Sequence, residues 1–434
     1  MQAKLKTNSF ILYVVMLVSI TTIGLQIERH HSTILFLAFF SAFFSYCWLI
    51  IYPSSSDIYV GVLIRLVLFA GMPSLSDDLY RFIWDGHLLN AGINPFAELP
   101  GYYLSQPHIE GISESLYAQL NSTNYFTIYP PLNQFVFWLA ANIGANDWLL
   151  SANIIRLFLL FGDFLAVFFL RKILAENGQE KEKAMIYFLN PLVILEGVGN
   201  LHFEVLVTAF LMVGIYYLTR KKWLSALGFG LAIGTKLLPL IYLPGLFFHG
   251  KIKKRIGLIS LICLISAITF LPMLNIEFIT GMKESLGLYF KKFEFNASIY
   301  FIIRQFGFWV KGYNIIGTLG PFLSVLTALI IIATSYFQAI RSQHIAVIMF
   351  VALMIYLSFS TIVHPWYIIP LIALGVIINA KTALAWSFFI FLTYFGYKKE
   401  GFELSMYWVV LEYLVVFSVF IYEFVIEKSR IRWY

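Results

Sequence analysis

A bundle of helices that crosses a membrane many times is the fold class that this sequence predicts. Hydrophobic residues make up 60% of its 434 residues and charged residues only 12%, whereas soluble proteins carry roughly 25% charged residues. The mean hydropathy is +0.80. Apolar runs of about 20 residues, the length that crosses a bilayer, recur from end to end. Because lipid offers no partners for backbone groups, these runs are predicted to be α-helices, and the class is all-α.

The positive charge of the chain reflects membrane orientation. The formal net charge is +7, and the lysines and arginines fall mostly in short connections between apolar runs. This distribution is typical of membrane proteins whose basic loops stay inside, so it predicts membrane lipids and no nucleic acid as partners. The two cysteines, Cys47 and Cys263, lie within apolar runs and predict neither a disulfide framework nor a zinc site.

About 14 transmembrane helices in one membrane domain, residues 1–434, account for these runs. The first run follows Lys4 and Lys6, and a basic tail begins at Lys428, so both are placed inside. Counting from either end gives the same orientation only if residues 73–151 stay outside. The predicted spans lie at about 9–26, 33–51, 58–72, 152–170, 184–198, 203–219, 223–235, 237–248, 256–272, 316–340, 345–358, 366–380, 382–397 and 404–427.

Two long outer segments interrupt the predicted helices. The first, 73–151, contains a short apolar piece at 132–143 that is predicted to be re-entrant or to lie along the interface. The second, 273–315, contains a piece at 299–310 that is predicted to be a short interfacial helix. Connections of this length usually have a function, so a site is expected on this face.

One stretch of the first outer segment concentrates charge in a chain that has little. Residues 76–87 hold three carboxylates, an arginine and a histidine. Ionisable groups near a bilayer are costly and often mark functional sites. The topology brings further polar motifs to the same face and so predicts a single outward-facing site; these motifs are Tyr129-Pro130-Pro131, 199–204, Thr235-Lys236 and 364–367.

The motifs resemble those of a known superfamily. The sequence Ser76-Asp77-Asp78-Leu79-Tyr80-Arg81-Phe82-Ile83-Trp84-Asp85-Gly86, followed by Gly92-Ile93-Asn94-Pro95-Phe96 and Tyr129-Pro130-Pro131, resembles the first outer loop of polyprenol-phosphate-sugar-dependent glycosyltransferases of the GT-C superfamily. The resemblance is strongest to bacterial mannosyltransferases of glycosyltransferase family 87 and to the catalytic subunit of GPI mannosyltransferase I. It spans about residues 60–370, with later landmarks at Asn190-Pro191, 196–202, Lys236-Leu237-Leu238-Pro239 and His364-Pro365-Trp366.

The resemblance implies a GT-C-like membrane enzyme. It would transfer one sugar, with mannose as the first expectation, from a polyprenyl-phosphate donor to a hydroxyl of a glycan or glycolipid acceptor. Inversion at the anomeric carbon would give an α-linked product from a β-linked donor. A lipid-borne donor needs no nucleotide pocket, in agreement with the absence of a Rossmann glycine loop or P-loop. The resemblance favours a bacterial cytoplasmic membrane with a periplasmic site; an endoplasmic reticulum membrane with a lumenal site has the same topology.

The acidic pair Asp77 and Asp78 supplies the candidate catalytic base. Displacement at the anomeric carbon needs a carboxylate to take the proton of the acceptor hydroxyl. By their position in the family pattern, Asp77 is the first choice and Asp78 the second. Two alternatives stay open: the pair caps a helix over about 79–88, or it holds a divalent cation, although two adjacent acids make a poor cage. No cofactor is certain, and no metal ligand is predicted.

Three cations are candidates for binding the donor phosphate, whose charge a nearby cation would stabilise. Lys236 stands alone at an outer helix end, where the alternative is a lysine that extends to the interface. Arg81 follows Asp77 by four residues and either binds phosphate or forms a salt bridge within the loop. His202 lies at another outer helix junction and either orients the phosphate or pairs with Glu204.

Four further residues are candidates for substrate binding. Asp85 roughly shares a helical face with Asp77, with a salt bridge within the loop as the alternative. Glu204 lies at the same junction as His202. Tyr129 precedes two prolines and lines the sugar pocket, starts the re-entrant piece, or does both. His364 is a site residue or an ordinary loop histidine.

Two charges within predicted spans are expected to be structural. Arg65 and Asp163 each lie in the middle of an apolar run. Such charges usually mark function, but a buried ion pair between these two side chains is the simpler hypothesis.

Two other functions compete with sugar transfer. A transporter or flippase of lipid-linked sugar would show repeated halves and a polar path across the bilayer, whereas the polar motifs here gather on one face. An inert partner subunit of a glycosyltransferase complex would be expected to lack the acidic pair, which is present. The sequence therefore favours an enzyme.

Overall fold

The computed structural model of the protein describes residues 2–51, 53–341 and 343–427, so the basic tail used in the topology prediction lies outside it. The described residues form helices and loops, with no β-sheet among them, which confirms the all-α class. Their α-helices in chain order are α1 (Gln2–Leu25), α2 (Ser32–Leu49), α3 (Asp57–Val67), α4 (Asp78–Asn90), α5 (Pro100–Leu104), α6 (Glu114–Tyr117), α7 (Pro131–Gly144), α8 (Trp148–Glu176), α9 (Met185–Phe188), α10 (Glu204–Tyr217), α11 (Lys222–Thr235), α12 (Leu243–Phe248), α13 (Ile252–Phe270), α14 (Ile276–Lys291), α15 (Ile299–Lys311), α16 (Ile316–Ile340), α17 (Ile345–Phe359), α18 (Ile369–Ile378), α19 (Lys381–Phe389) and α20 (Met406–Ile421).

Helix ends in the second outer segment follow from local sequence. The Asn275 side chain accepts a hydrogen bond from the Phe278 backbone N–H at 2.9 Å and so caps the start of α14. Gly312 ends α15 with a φ of 78°, a left-handed conformation that glycine adopts without steric cost. The start of α14 and the end of α15 therefore lie where the sequence supplies a cap.

The count of about 14 spanning helices is not supported. Among the described residues, five helices are long and apolar enough to cross a membrane, and a sixth if one bent pair counts as a span. Several predicted spans are shorter helices; α17, for example, has 15 residues and is about 22 Å long at about 1.5 Å per residue. The five are Ser32–Leu49, Trp148–Glu176, Lys253–Met273, Ile316–Ile340 and Met406–Ile426.

The bent pair replaces the two spans predicted at 184–198 and 203–219. A π-helical turn, Val193–Gly199, meets α10 at an angle of 106°. Leu201, at the bend, has a φ of 67°, which is uncommon for a residue other than glycine. A break in a helix of this kind requires new partners for the backbone groups that it frees, and here the His202 N–H donates to the Glu196 carbonyl at 3.2 Å.

The helices divide into two compact units. The first comprises Met1–Leu75, Leu159–Tyr216 and His364–Tyr434, and the second comprises Ser76–Phe158 and Tyr217–Val363. In the first unit, Arg65 Nε donates to Asp163 Oδ2 at 2.6 Å, and both side chains are fully buried. The predicted ion pair is therefore confirmed. Tyr187 also donates to Asp163, at 2.9 Å, so the buried carboxylate has two partners.

The second unit joins the two long predicted outer segments. Helices α4 and α7 pack closely because Gly86 has no side chain; a Cβ there would lie 2.2 Å from the Phe137 carbonyl oxygen. Ser285 of α14 donates to the Phe126 carbonyl at 3.0 Å. Asn94 donates to Asn275 at 2.9 Å, so the Asn94-Pro95-Phe96 motif holds the start of α14. The loops around the acidic pair thus rest on helices of both segments.

Candidate active site

The acidic pair lies where helix α4 begins. Asp77 occupies the N-cap position, but its side chain makes no capping hydrogen bond. Both carboxylates are half-buried. Burial raises the pKa of the Tyr80 hydroxyl, and the negative charge of Asp77 raises it further. Because the Asp77 side chain makes no capping hydrogen bond, the alternative that the acidic pair caps α4 does not hold for Asp77.

Asp78 is held by two side chains from a single loop. Its Oδ1 accepts a hydrogen bond from Asn121 Nδ2 and its Oδ2 accepts one from the Tyr129 hydroxyl, both at 3.0 Å. The Tyr129 ring makes edge contacts with Phe82 and Phe137, at centroid distances of 4.8 and 5.4 Å. The structure thus brings Tyr129 to the acidic pair and fixes the orientation of Asp78.

Arg81 and Asp85 form the salt bridge that the sequence left open. Arg81 Nε donates to Asp85 Oδ1 at 2.8 Å, and Arg81 Nη1 donates to the backbone carbonyls of Ser122 and Tyr125. Asp85 Oδ2 accepts from Gln134 Nε2 at 2.9 Å. Arg81 is 3% exposed and Asp85 0%. This network holds the loop that carries Asn121; binding of phosphate by Arg81 and of substrate by Asp85 stay predictions.

Lys236 lies just beyond helix α11, at the point where the chain becomes extended. The end of this helix packs against the start of α7, since a Cβ on Gly234 would lie 3.1 Å from Leu132 Cδ1 and 2.5 Å from Thr269 Oγ1. Leu132 follows the Tyr129-Pro130-Pro131 motif directly. Within the second unit, the structure therefore places the Lys236 end of α11 beside the segment that contacts the acidic pair.

His202 belongs to a buried cluster in the first unit. Its ring stacks on Trp366 at a centroid distance of 3.6 Å, and the His364 ring stacks on Trp366 at 4.4 Å. Its Nε2 lies 3.4 Å from Glu196 Oε2, and the Tyr394 hydroxyl donates to Glu196 Oε1. We refer to these five residues as the histidine–tryptophan cluster. It brings together two predicted site residues, His202 and His364.

Glu204, predicted as a substrate-binding residue, begins helix α10 immediately after the bend. Its side chain is 3% exposed, and its backbone carbonyl accepts a hydrogen bond from the Thr208 hydroxyl at 2.7 Å. The acidic neighbour that the structure gives His202 is Glu196. Substrate binding by Glu204 and His364 stays a prediction.

Several residues that shape these clusters were not predicted. Gln134 follows Tyr-Pro-Pro inside an apolar piece, and Glu196 is a charge inside an apolar run, so both carried a signal in their unusual surroundings. Asn121 is one polar residue in a polar loop. Tyr394 lies 198 residues from Glu196, and no local pattern relates them.

The divalent cation that the sequence left open for the acidic pair stays a prediction. The described part of the chain contains no group of three or more His, Cys, Asp or Glu side chains that could hold a metal ion. Both oxygens of Asp78 already accept hydrogen bonds from Asn121 and Tyr129.

Comparisons with known proteins identify the family of the chain. Residues 21–249, more than half of the chain, match the family described as "Alpha-(1->6)-mannopyranosyltransferase, N-terminal domain" (MptA_B family). The chain belongs to this family. As a member of this mannopyranosyltransferase family with several apolar helices, it is a membrane glycosyltransferase in class, consistent with the GT-C mannosyltransferases that its motifs resemble.

One curated relative is "GPI mannosyltransferase 1" of Candida albicans, which is 32% identical over 101 residues. The match covers 22% of this chain and 25% of that protein, so the chain spans about a quarter of the length of the relative. No solved structure matches. The donor, the acceptor and the linkage that this member of the mannopyranosyltransferase family uses are therefore proposed below.

Proposed function

We propose that the protein transfers a mannosyl residue from a polyprenyl-phosphate donor to a hydroxyl of a glycan or glycolipid, with inversion at the anomeric carbon. The observation that carries the proposal is the acidic pair of a mannosyltransferase-family chain at the start of α4, with Asp78 fixed by Asn121 and Tyr129. The donor is lipid-borne in the enzymes that the motifs resemble. The 1→6 linkage in the family description makes a primary hydroxyl the first acceptor to test.

Asp77 is the proposed base. As the acceptor oxygen bonds to the anomeric carbon, its proton passes to the Asp77 carboxylate. The bond from that carbon to the phosphate oxygen breaks, and its electron pair stays on the phosphate. A β-linked donor then gives an α-linked product. Asp78, held on both oxygens, is proposed to fix the start of α4 and so to position Asp77.

Lys236 is the proposed cation for the departing phosphate. An ammonium group near the developing charge stabilises it without donating a proton. The support is its place at the end of α11 beside the start of α7. His202, Glu204 and His364 remain proposed contacts of donor or acceptor, and Arg81 and Asp85 are proposed to act mainly by holding the loop around Asn121.

The outer face is the proposed side for the reaction, with residues 73–151 as the catalytic segment and 273–315 as the second outer segment. Basic connections group together within each unit, as the positive-inside distribution predicts. In the first unit, Arg171 donates to Ser55 and Lys183 to Asn379. In the second, Lys222 lies against Gly257, just after the run 251–255. We place these connections in the cytoplasm and the site in the periplasm of a bacterial membrane.

A reconstituted reaction tests the proposal. The full-length protein in lipid nanodiscs receives polyprenyl phosphate bearing radiolabelled mannose together with a membrane extract as acceptor. Release of polyprenyl phosphate and labelling of an acceptor are expected. A transporter would instead move the intact labelled donor across a liposome membrane and release no polyprenyl phosphate with mannose, glucose or arabinose donors. That result would overturn the proposed function.

A further inference from the structure

A buried carboxylate in the first unit has no role in the reaction as described so far. Glu196 lies in the π-helical turn Val193–Gly199 and is 0% exposed. The Tyr394 hydroxyl donates to its Oε1, and its Oε2 lies 3.4 Å from His202 Nε2. π-Helical turns are rare and are frequent at functional sites. A carboxylate here is costly to bury, so its placement needs a reason.

Glu196 Oε2 and His202 Nε2 face each other inside the first unit. Glu196 Oε2 and His202 Nε2 are both buried, and neither atom has a hydrogen-bond partner among the described residues. The contact between them at 3.4 Å holds the Nε2 edge of the His202 ring toward Glu196. Carboxylates orient histidine rings in this way elsewhere.

The plane of the His202 ring is held as well. The ring stacks on Trp366 with an angle of 18° between the planes, and the His364 ring stacks on the same indole with an angle of 8°. The contacts of His202 with Trp366 and Glu196 thus fix the orientation that a phosphate-binding group requires.

We propose that Glu196 is a positioning residue for phosphate binding: with Tyr394 holding its other oxygen, it keeps the His202 ring in the orientation that binds the phosphate group of a polyprenyl phosphate. Glu196 acts through His202 and does not touch the lipid. The inference deepens the proposed function, on which it rests for the identity of the ligand.

A matched control separates this role from a structural one. Glu412 is another buried glutamate of the first unit, 1% exposed, and its Oε1 accepts a hydrogen bond from Trp386 Nε1 at 2.8 Å. Glu196→Gln and Glu412→Gln each replace one buried carboxylate by an isosteric amide. A general loss of packing or stability should affect both variants alike, whereas a role through His202 belongs to Glu196 alone.

The test measures binding as well as turnover. Full-length protein in nanodiscs is titrated with polyprenyl phosphate and with the matching polyprenol, which lacks the phosphate, for wild type, Glu196→Gln, His202→Asn, the double variant and Glu412→Gln. The ratio of the two affinities is the phosphate preference. We expect Glu196→Gln to reduce this preference by about tenfold or more, which corresponds to about 1.4 kcal/mol. Glu412→Gln should change the phosphate preference by no more than about twofold, because the inference gives Glu412 no role in phosphate binding.

The double variant decides how Glu196 acts. If it acts through His202, adding Glu196→Gln to His202→Asn should cause little further loss. Losses that multiply, or a phosphate preference unchanged in Glu196→Gln, would overturn the inference. If Glu196→Gln fails to assemble, Tyr394→Phe replaces it: a loss of about threefold supports the inference, and no loss overturns it.

Binding and turnover can fail separately. A wild-type protein that prefers polyprenyl phosphate, and loses that preference in Glu196→Gln, supports the inference even if no mannose is transferred, and then only the proposed function fails. A wild-type protein that transfers mannose while Glu196→Gln keeps the full preference retains the proposed function and overturns the inference. A wild-type protein without phosphate preference overturns the inference as well.

Discussion

Tyr129 donates its hydroxyl to Asp78 Oδ2 at 3.0 Å, across 51 residues of sequence. The contact joins the Tyr-Pro-Pro motif to the acidic pair. The two prolines that follow keep the tyrosine in extended backbone at the start of α7. The motif therefore serves to present one phenol to one carboxylate, in addition to starting a helix.

Loss of the Tyr129 hydroxyl should slow transfer without unfolding the protein. In Tyr129→Phe the ring keeps its contacts with Phe82 and Phe137, while Asp78 loses one of its two donors. We expect kcat to fall about three- to tenfold, in line with about 1 kcal/mol for one hydrogen bond. Tyr125→Phe is the control, since only the backbone carbonyl of Tyr125 bonds to Arg81. Equal rates for the two variants would show that the phenol does not act on Asp78.

Arg81 should matter for stability more than for donor affinity. Its guanidinium bonds to Asp85 and to two backbone carbonyls of the 122–125 loop, a geometry that a lysine ammonium does not reproduce. We expect Arg81→Lys to lower the free energy of unfolding by about 2–4 kcal/mol. A lower midpoint of thermal unfolding in detergent would report this loss. An unchanged midpoint with a raised KM for donor would instead favour direct phosphate binding by Arg81.

The Arg65–Asp163 pair should show strong coupling. Removing one partner leaves a buried charge alone, so Arg65→Met and Asp163→Leu should each destabilise the protein by about 3–5 kcal/mol. The double variant should regain most of that loss, because both charges are then absent. Thermal unfolding of the four proteins measures the coupling. Additive losses would mean that the two side chains do not pair in the folded protein.

His87 should make stability depend on pH. Its ring is buried beneath Gly111, where a Cβ would lie 2.1 Å from Nδ1, and burial lowers the pKa of His87 below 6.5. Between that lowered pKa and 6.5, the unfolded chain takes up a proton that the folded chain does not, so the free energy of unfolding falls as pH drops below about 6.5. His87→Gln should reduce this slope, which denaturant unfolding measured across this pH range would show. A slope unchanged in His87→Gln would contradict the account.

The sequence predicted helices more reliably than spans. Residues 316–340 form α16, and the piece at 299–310 is helix α15, because apolar pattern and caps act locally. The span count failed where an apolar run contains a bend, as at Leu201, since hydropathy does not register backbone angles. Arg65 and Asp163 were paired correctly because two opposite charges in apolar runs leave few alternatives. Asn121 and Tyr394, by contrast, gain their importance only from long-range contacts with Asp78 and Glu196.

The central claim is that Asp77 is the base and that Asp78 positions it. Single-turnover transfer of mannose from polyprenyl phosphate mannose, measured for Asp77→Asn and Asp78→Asn beside wild type, tests it most directly when donor binding is measured separately. The account predicts a fall of about 100-fold or more for Asp77→Asn with donor binding retained, and a fall of about tenfold for Asp78→Asn. A larger loss in Asp78→Asn, or transfer by Asp77→Asn at close to the wild-type rate, would contradict it.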